Sequence, residues 1–202
     1  MNTKRSTLGD SDVRANDVNF SRDSAYFCVA LPQGFSVYYS ATCELYLNED
    51  LGRDIAIAVM LESSQILGLV DVRHPANRKL SLFDCVARKE IASIVHVDPI
   101  KHVALSRSHI AVACERMLYL YKHEHRIVKI AEYETASNSI GLCSLGSVKV
   151  VFPGRSPGHI QVVDIANMEV TIIPAHTSAL RALQTSTDGS IVVSASQNVI
   201  FS

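Results

Sequence analysis

From Asp17 onward, short runs rich in β-branched and aromatic residues alternate with clusters of Gly, Asn, Asp, Ser and Pro. That pattern predicts strands joined by turns, and no stretch holds a helical period beyond about two or three turns. The runs YFCVAL, QILGLV, HIAVAC, VKVVFP and IVVSAS begin at Tyr26, Gln65, His109, Val148 and Ile191, so successive starts lie 39, 44, 39 and 43 residues apart. A second run follows each of the first four: GFSVYY, KLSLFDC, RMLYLYK and HIQVVDI. A third comes in the same order, as CELYLN, EIASIVHV, RIVKIAEYE and EVTIIPA. A further run precedes later units, as IAIAVML, HVALS, IGLCSL and ALRALQT.

Four strands in roughly 40 residues is the period of a β-propeller blade. The expected fold is therefore all-β, a WD-repeat-like β-propeller. Residues 1–16 read as a polar, flexible tail, and 17–202 as a partial propeller domain of blades 1–4 and the start of blade 5. An antiparallel sandwich with evenly spaced strands is the competing reading, but a sandwich need not repeat its strand order internally. A four-stranded blade hides both faces only when neighbours stack on it, so the two-strand start after Asp188-Gly189 leaves an unpaired edge. The usual WD-repeat mark is absent, since the chain has no Trp. Tyr38-Tyr39, Phe83-Asp84, Tyr121 and Asp164 end the second inner strands instead.

Composition narrows the chemistry. Hydrophobic residues make up 48% and charged ones 19%, enough to bury a sizeable core. A net charge of −1 gives no global pull toward a polyanion, and neither a basic stripe nor an aromatic platform points to nucleic acid. Five dispersed cysteines with no CxxC pair fit buried thiols in a reducing compartment. MNTKRSTLGDSDVRAND lacks the apolar core of a signal peptide, and no run reaches the roughly 18 apolar residues that span a membrane, so a cytosolic protein is expected. No hydrolase elbow, phosphate loop or HExxH is present, so no enzyme and no cofactor is expected. His123 and His125 in KHEH could share a metal, but no third ligand has defined spacing. Arg73, His74, Arg78 and Lys79 form a basic cluster that reads as a solvated loop or a contact for an acidic partner.

Several stretches together resemble the PROPPIN family, the phosphoinositide-binding propellers of autophagy also called WIPI proteins. They are VNFSRDSAYFCVALPQGFSVYY, ILGLVDVRHPANRKLSLFD, ETASNSIGLCSL, FPGRSPGHIQVVDI with IPAHTSAL, and TDGSIVVSAS, in order from Asp17 to Ser196. The resemblance implies a seven-bladed propeller that binds phosphatidylinositol 3-phosphate and 3,5-bisphosphate in two rim pockets around its fifth and sixth blades. It also implies a hydrophobic membrane-inserting loop on the sixth blade, a lipid-transfer protein docked on the early blades, and recruitment from cytosol to phagophore or endosomal membranes. A phosphomonoester needs several converging donors, and the family supplies two from an Arg-Arg-Gly motif that this sequence does not contain. The expectation is a chain truncated before that motif, with one wall of the first pocket left.

On that wall His176 matches the pocket histidine, Thr177 lies beside it, and Ser194 and Ser196 match the Thr and Ser of Ala-Thr-Ala-Ser. Their blander readings are a turn histidine satisfied by backbone and small residues in a packed strand. Arg181 reads first as an ornament of the strand edge and second as a residue that approaches the pocket, and Asp23 as either a partner-binding acid or the stabiliser of its own turn. Three functional readings follow: a lipid effector of autophagy, a protein-interaction scaffold without lipid binding, and an incomplete product.

Overall fold

The computed structural model describes residues 14–62, 64–72, 77–124 and 126–196. Expectations that fall on residues 1–13, on Arg73, His74 and His125, and on residues 197–202 lie outside the described residues. The first sheet runs β1 (Asp17–Phe20), β2 (Tyr26–Leu31), β3 (Gly34–Tyr39) and β4 (Leu45–Asp50). The second runs β5 (Ile55–Met60), β6 (Ile66–Asp71), β7 (Lys79–Asp84) and β8 (Lys89–Val95). The third holds β9 (Ile100–Leu105), β10 (His109–Cys114), β11 (Met117–His123) and β12 (Ile127–Glu134). The fourth holds β13 (Ser144–Leu145), β14 (Lys149–Pro153), β15 (His159–Asp164) and β16 (Val170–Pro174). A two-stranded sheet, β17 (Leu180–Thr185) with β18 (Val192–Ser196), completes the described chain. Strands pair antiparallel in chain order within every sheet, as the repeat predicts.

Strand periodicity explains how the sheets stack. Along β10, Ile110, Val112 and Cys114 pack toward the second sheet, while Ala111 and Ala113 pack toward the fourth. On β14, Val150 and Phe152 face the third sheet and Val151 faces the fifth. Alternate side chains on a pleated strand point to opposite faces, so each middle sheet feeds two separate cores. The first sheet, by contrast, packs Cys28, Ala30, Phe35 and Val37 against the second on one face. Its other face leaves Val18 and Phe20 largely in solvent, with Phe27 stacked on Tyr38 beside them.

The sheets radiate from an axis. One cavity of about 320 Å³ is lined by residues of all five innermost strands, from Asn19 on β1 and Met60 on β5 through His102, Ser144 and Gln184. Arg22, in the β1–β2 turn, is among its lining residues. Its Nη2 donates to Ser147 Oγ (3.2 Å) and to the Thr187 carbonyl, and Nη1 faces Glu62 (3.5 Å). At the start of the first sheet, Asn16 donates from its backbone to Ala30 O and from its side chain to Asp54 and Ile55 O.

One expected strand contracts. IGLCSL yields only Ser144–Leu145, because Asn138 clamps the backbone ahead of it. The Asn138 amide donates to Leu142 O (3.1 Å) and its oxygen accepts from Leu142 N (2.7 Å), a side-chain turn that competes with sheet pairing. Gly141, at φ 70°, makes the bend, and a Cβ there would meet Lys101 O at 2.9 Å.

Candidate functional site: the histidine turn of the fifth blade

The turn between β16 and β17 is held by the fourth sheet. His176 N donates to Gly158 O (3.0 Å), and His159 N returns to Ser156 O to shape the glycine's own turn. Gly158 sits at φ 81°, and a Cβ there would lie 2.0 Å from His176 O and 2.9 Å from Ser178 O. Only glycine permits that approach, which is why the Pro157-Gly158 turn and the AHTS turn lie backbone to backbone.

Held this way, the His176 ring reaches β18. Its Nε2 lies 2.9 Å from Ser194 Oγ, and no other side-chain partner engages it among the described residues. Ser194 is opposite Leu183 and Ser196 opposite Leu180, so the two serines share the half-buried face of β18 with Val192. Val192 packs on Val151, Ile160, Leu180 and Leu183, the core between the fourth and fifth sheets. The structure thus brings His176, Ser194 and Ser196 to one wall, while Thr177 is exposed at its rim. Such a wall sets an imidazole beside serine hydroxyls, groups of the kind that bind an oxyanion.

The other residues singled out in the sequence make these contacts. Asp23 stabilises its own turn, since Oδ1 accepts from Ser21 Oγ (2.6 Å) and from Ala25 N (3.2 Å). Lys79 of the basic loop is paired with Glu90 at 2.7 Å. His123 Nε2 is bound to Ser106 O at 2.7 Å, and no metal-holding group of three His, Cys, Asp or Glu occurs among the described residues. Burial pushes the thiols of Cys28, Cys85, Cys114 and Cys143 up to about 12, so each stays protonated and unreactive near neutrality. Arg181 is exposed on β17, an outer strand of the two-stranded sheet, and lines a cavity between the fourth and fifth sheets.

Radiating four-stranded meanders around an axial cavity define a WD-repeat-like β-propeller. The solved structures agree: Hsv2 of Kluyveromyces marxianus superposes with a TM-score of 0.82 at 17% identity, over 92% of this chain and 59% of that one. Atg21 solved with a coiled coil of Atg16 gives 0.75 at 17% identity, over 92% and 63%. No protein-family model matches the sequence. Among curated proteins it is 35% identical to SVP1-like protein 2 of Neurospora crassa, over 89% of this chain and 43% of the relative. It is 29% identical both to Autophagy-related protein 18 of Dictyostelium discoideum and to WD repeat domain phosphoinositide-interacting protein 2 of Mus musculus. Those matches cover 89% of this chain, with 50% of the first relative and 42% of the second. The chain belongs to the PROPPIN family. It spans about half the length of the curated relatives it matches.

Proposed function

We propose that this chain is an autophagy effector that binds inositol lipids phosphorylated at the 3-position, phosphatidylinositol 3-phosphate and 3,5-bisphosphate. The binding wall is His176, Thr177, Ser194 and Ser196. The observation that carries the reading is the His176–Ser194 contact of 2.9 Å, which sets a turn histidine against the half-buried strand face that holds both serines. The mouse relative, named as phosphoinositide-interacting, supports the ligand class, and the Dictyostelium relative supports the process. Binding is peripheral, from cytosol to phagophore or endosomal membranes, and non-catalytic.

Residues 17–202 act as one domain in this reading, with 1–16 as a tail. Asp23 marks the turn where an autophagy lipid-transfer protein docks. The coiled-coil complex of the Atg21 structure supports the alternative, a protein-interaction scaffold that works without lipid.

Vesicle flotation with His176→Ala separates them. The lipid reading expects phosphatidylcholine vesicles carrying phosphatidylinositol 3-phosphate to recover the wild type, with severalfold loss in the variant. Equal recovery of both proteins would remove His176 from the site. No wild-type recovery would favour the scaffold.

A further inference from the structure

We propose that the outer edge of β16 is a docking site for an extended segment of another protein, which adds to the fourth sheet as a further strand. The segment that fits carries apolar side chains at alternate positions and a carboxylate where it passes Arg155.

β16 is the outermost strand of its sheet and pairs only with β15 among the described residues. All of its residues, Val170 to Pro174, are exposed. The outermost strands of the first three sheets carry charges: Glu49 and Asp50 on β4, Lys89 and Glu90 on β8, Lys129 and Glu132 on β12. Charged side chains on an edge discourage another strand from adding there. β16 reads VTIIP and has none, which leaves it the unguarded edge of the four.

The ladder decides which main-chain groups that edge offers. Asp164 N donates to Glu169 O (2.9 Å) where β15 turns into β16. Hydrogen-bonded pairs alternate along an antiparallel ladder, so Thr171 and Ile173 bond to their partners Val162 and Ile160. Val170, Ile172 and Pro174 then turn their main-chain groups outward. Proline sits where the ladder loses no donor, the place an edge strand tolerates it. Val170 and Ile172 are left with N–H groups for an incoming strand.

The side chains of the same two residues shape the specificity. Val170 and Ile172 line a groove of about 470 Å³ with Tyr133, Arg155, His159 and Gln161. Its floor is fixed, because Gln161 Nε2 donates to Glu134 O at 3.0 Å and Tyr133 packs on Phe152 with ring centres 5.2 Å apart. Every second side chain of an added strand points toward this groove. The lining holds a guanidinium and an imidazole and no carboxylate. Glu134 lies 3.2 Å from Arg155, but at 64% and 74% exposure that pair is weak enough to exchange for a partner's carboxylate.

Two copies of this chain joined edge to edge would share only a strand of 5 residues, short of the roughly 1,200 Å² that stable complexes bury. A peptide, whose whole contact is one strand, suits the site better. None of His176, Thr177, Ser194 and Ser196 lines the groove, so the proposal does not rest on the lipid reading.

The test titrates the full, isotopically labelled chain with a blocked peptide of alternating valine and threonine ending in aspartate, up to about 1 mM. The backbone amide resonances of Val170 and Ile172 are expected to shift saturably and to exchange with solvent more slowly. The same peptide N-methylated along its length cannot pair, and is expected to leave them unmoved. Lysine in place of the aspartate is expected to weaken binding severalfold. Ile172→Lys, which puts a charge on the edge, is expected to weaken it about tenfold or more. No amide shift in the wild type, equal binding by the N-methylated peptide, or equal affinity in Ile172→Lys overturns the proposal. Equal binding by the lysine peptide overturns the carboxylate assignment. Self-association in sedimentation that Ile172→Lys abolishes would give the edge to a second copy, and overturns the proposal as well. If Ile172→Lys does not fold, the N-methylated peptide on the wild type decides.

Discussion

His96 shows what a single buried ring costs when solution conditions change. It is 6% exposed, its ring lies 4.9 Å from Tyr119 and 5.7 Å from Tyr121, and Nε2 has no hydrogen-bond partner. Burial pushes its pKa down to about 4; Lys129 adds to the shift, and Asp98 opposes it. The folded chain therefore holds the neutral ring while the unfolded chain takes up a proton near 6.5, so stability is full above that pH. Between about 6.5 and 4 it falls, by on the order of 3 kcal/mol from this residue. Urea midpoints at pH 7 and pH 4.5 are expected to show the loss, and His96→Phe to remove much of the slope. Burial lowers the pKa of His102 and His109 too, with Lys122 and His123 adding to the shift at His109, and both leave a residual slope of the same sign. An unchanged slope in His96→Phe would contradict this assignment.

At the scale of elements, turns rather than strands position the candidate site. Gly158→Ala would place a Cβ 2.0 Å from His176 O at a φ of 81°, so the AHTS turn must move. A loss of about 1–3 kcal/mol is expected, with severalfold weaker recovery on phosphatidylinositol 3-phosphate vesicles. Circular dichroism melting and flotation would check the two effects together. The strands themselves were legible, because β-branched runs bounded by turn residues recur every 40 residues or so, and β10 and β14 lie where the pattern puts them. IGLCSL misled because an amide side chain at Asn138, two residues before the run, outcompeted its pairing. The meeting of His176 with Ser194 follows from a turn and a register, 18 residues apart, that no local pattern encodes. Resemblance supplied those residues, and folding supplied the contact.

At the scale of the molecule, one side chain ties the first blade to the last ones described. Arg22 joins Glu62, Ser147 and Thr187, residues of turns up to 165 positions away. Arg22→Ala is expected to cost about 1–3 kcal/mol and to lower a single melting transition by a few degrees. A first blade that melts separately would contradict the proposal that 17–202 is one domain. The outer faces at either end remain open among the described residues, with Phe20 at 62% and Val193 at 65% exposure. The histidine wall sits in the fifth blade near one of those ends, so the sharpest question is whether the 202-residue chain recognises the 3-phosphate at all. Flotation of this chain on phosphatidylcholine vesicles carrying phosphatidylinositol, or phosphatidylinositol 3-phosphate at the same molar fraction, answers it. The account predicts recovery with the 3-phosphorylated lipid well above that with phosphatidylinositol, and equal recovery on the two would contradict it.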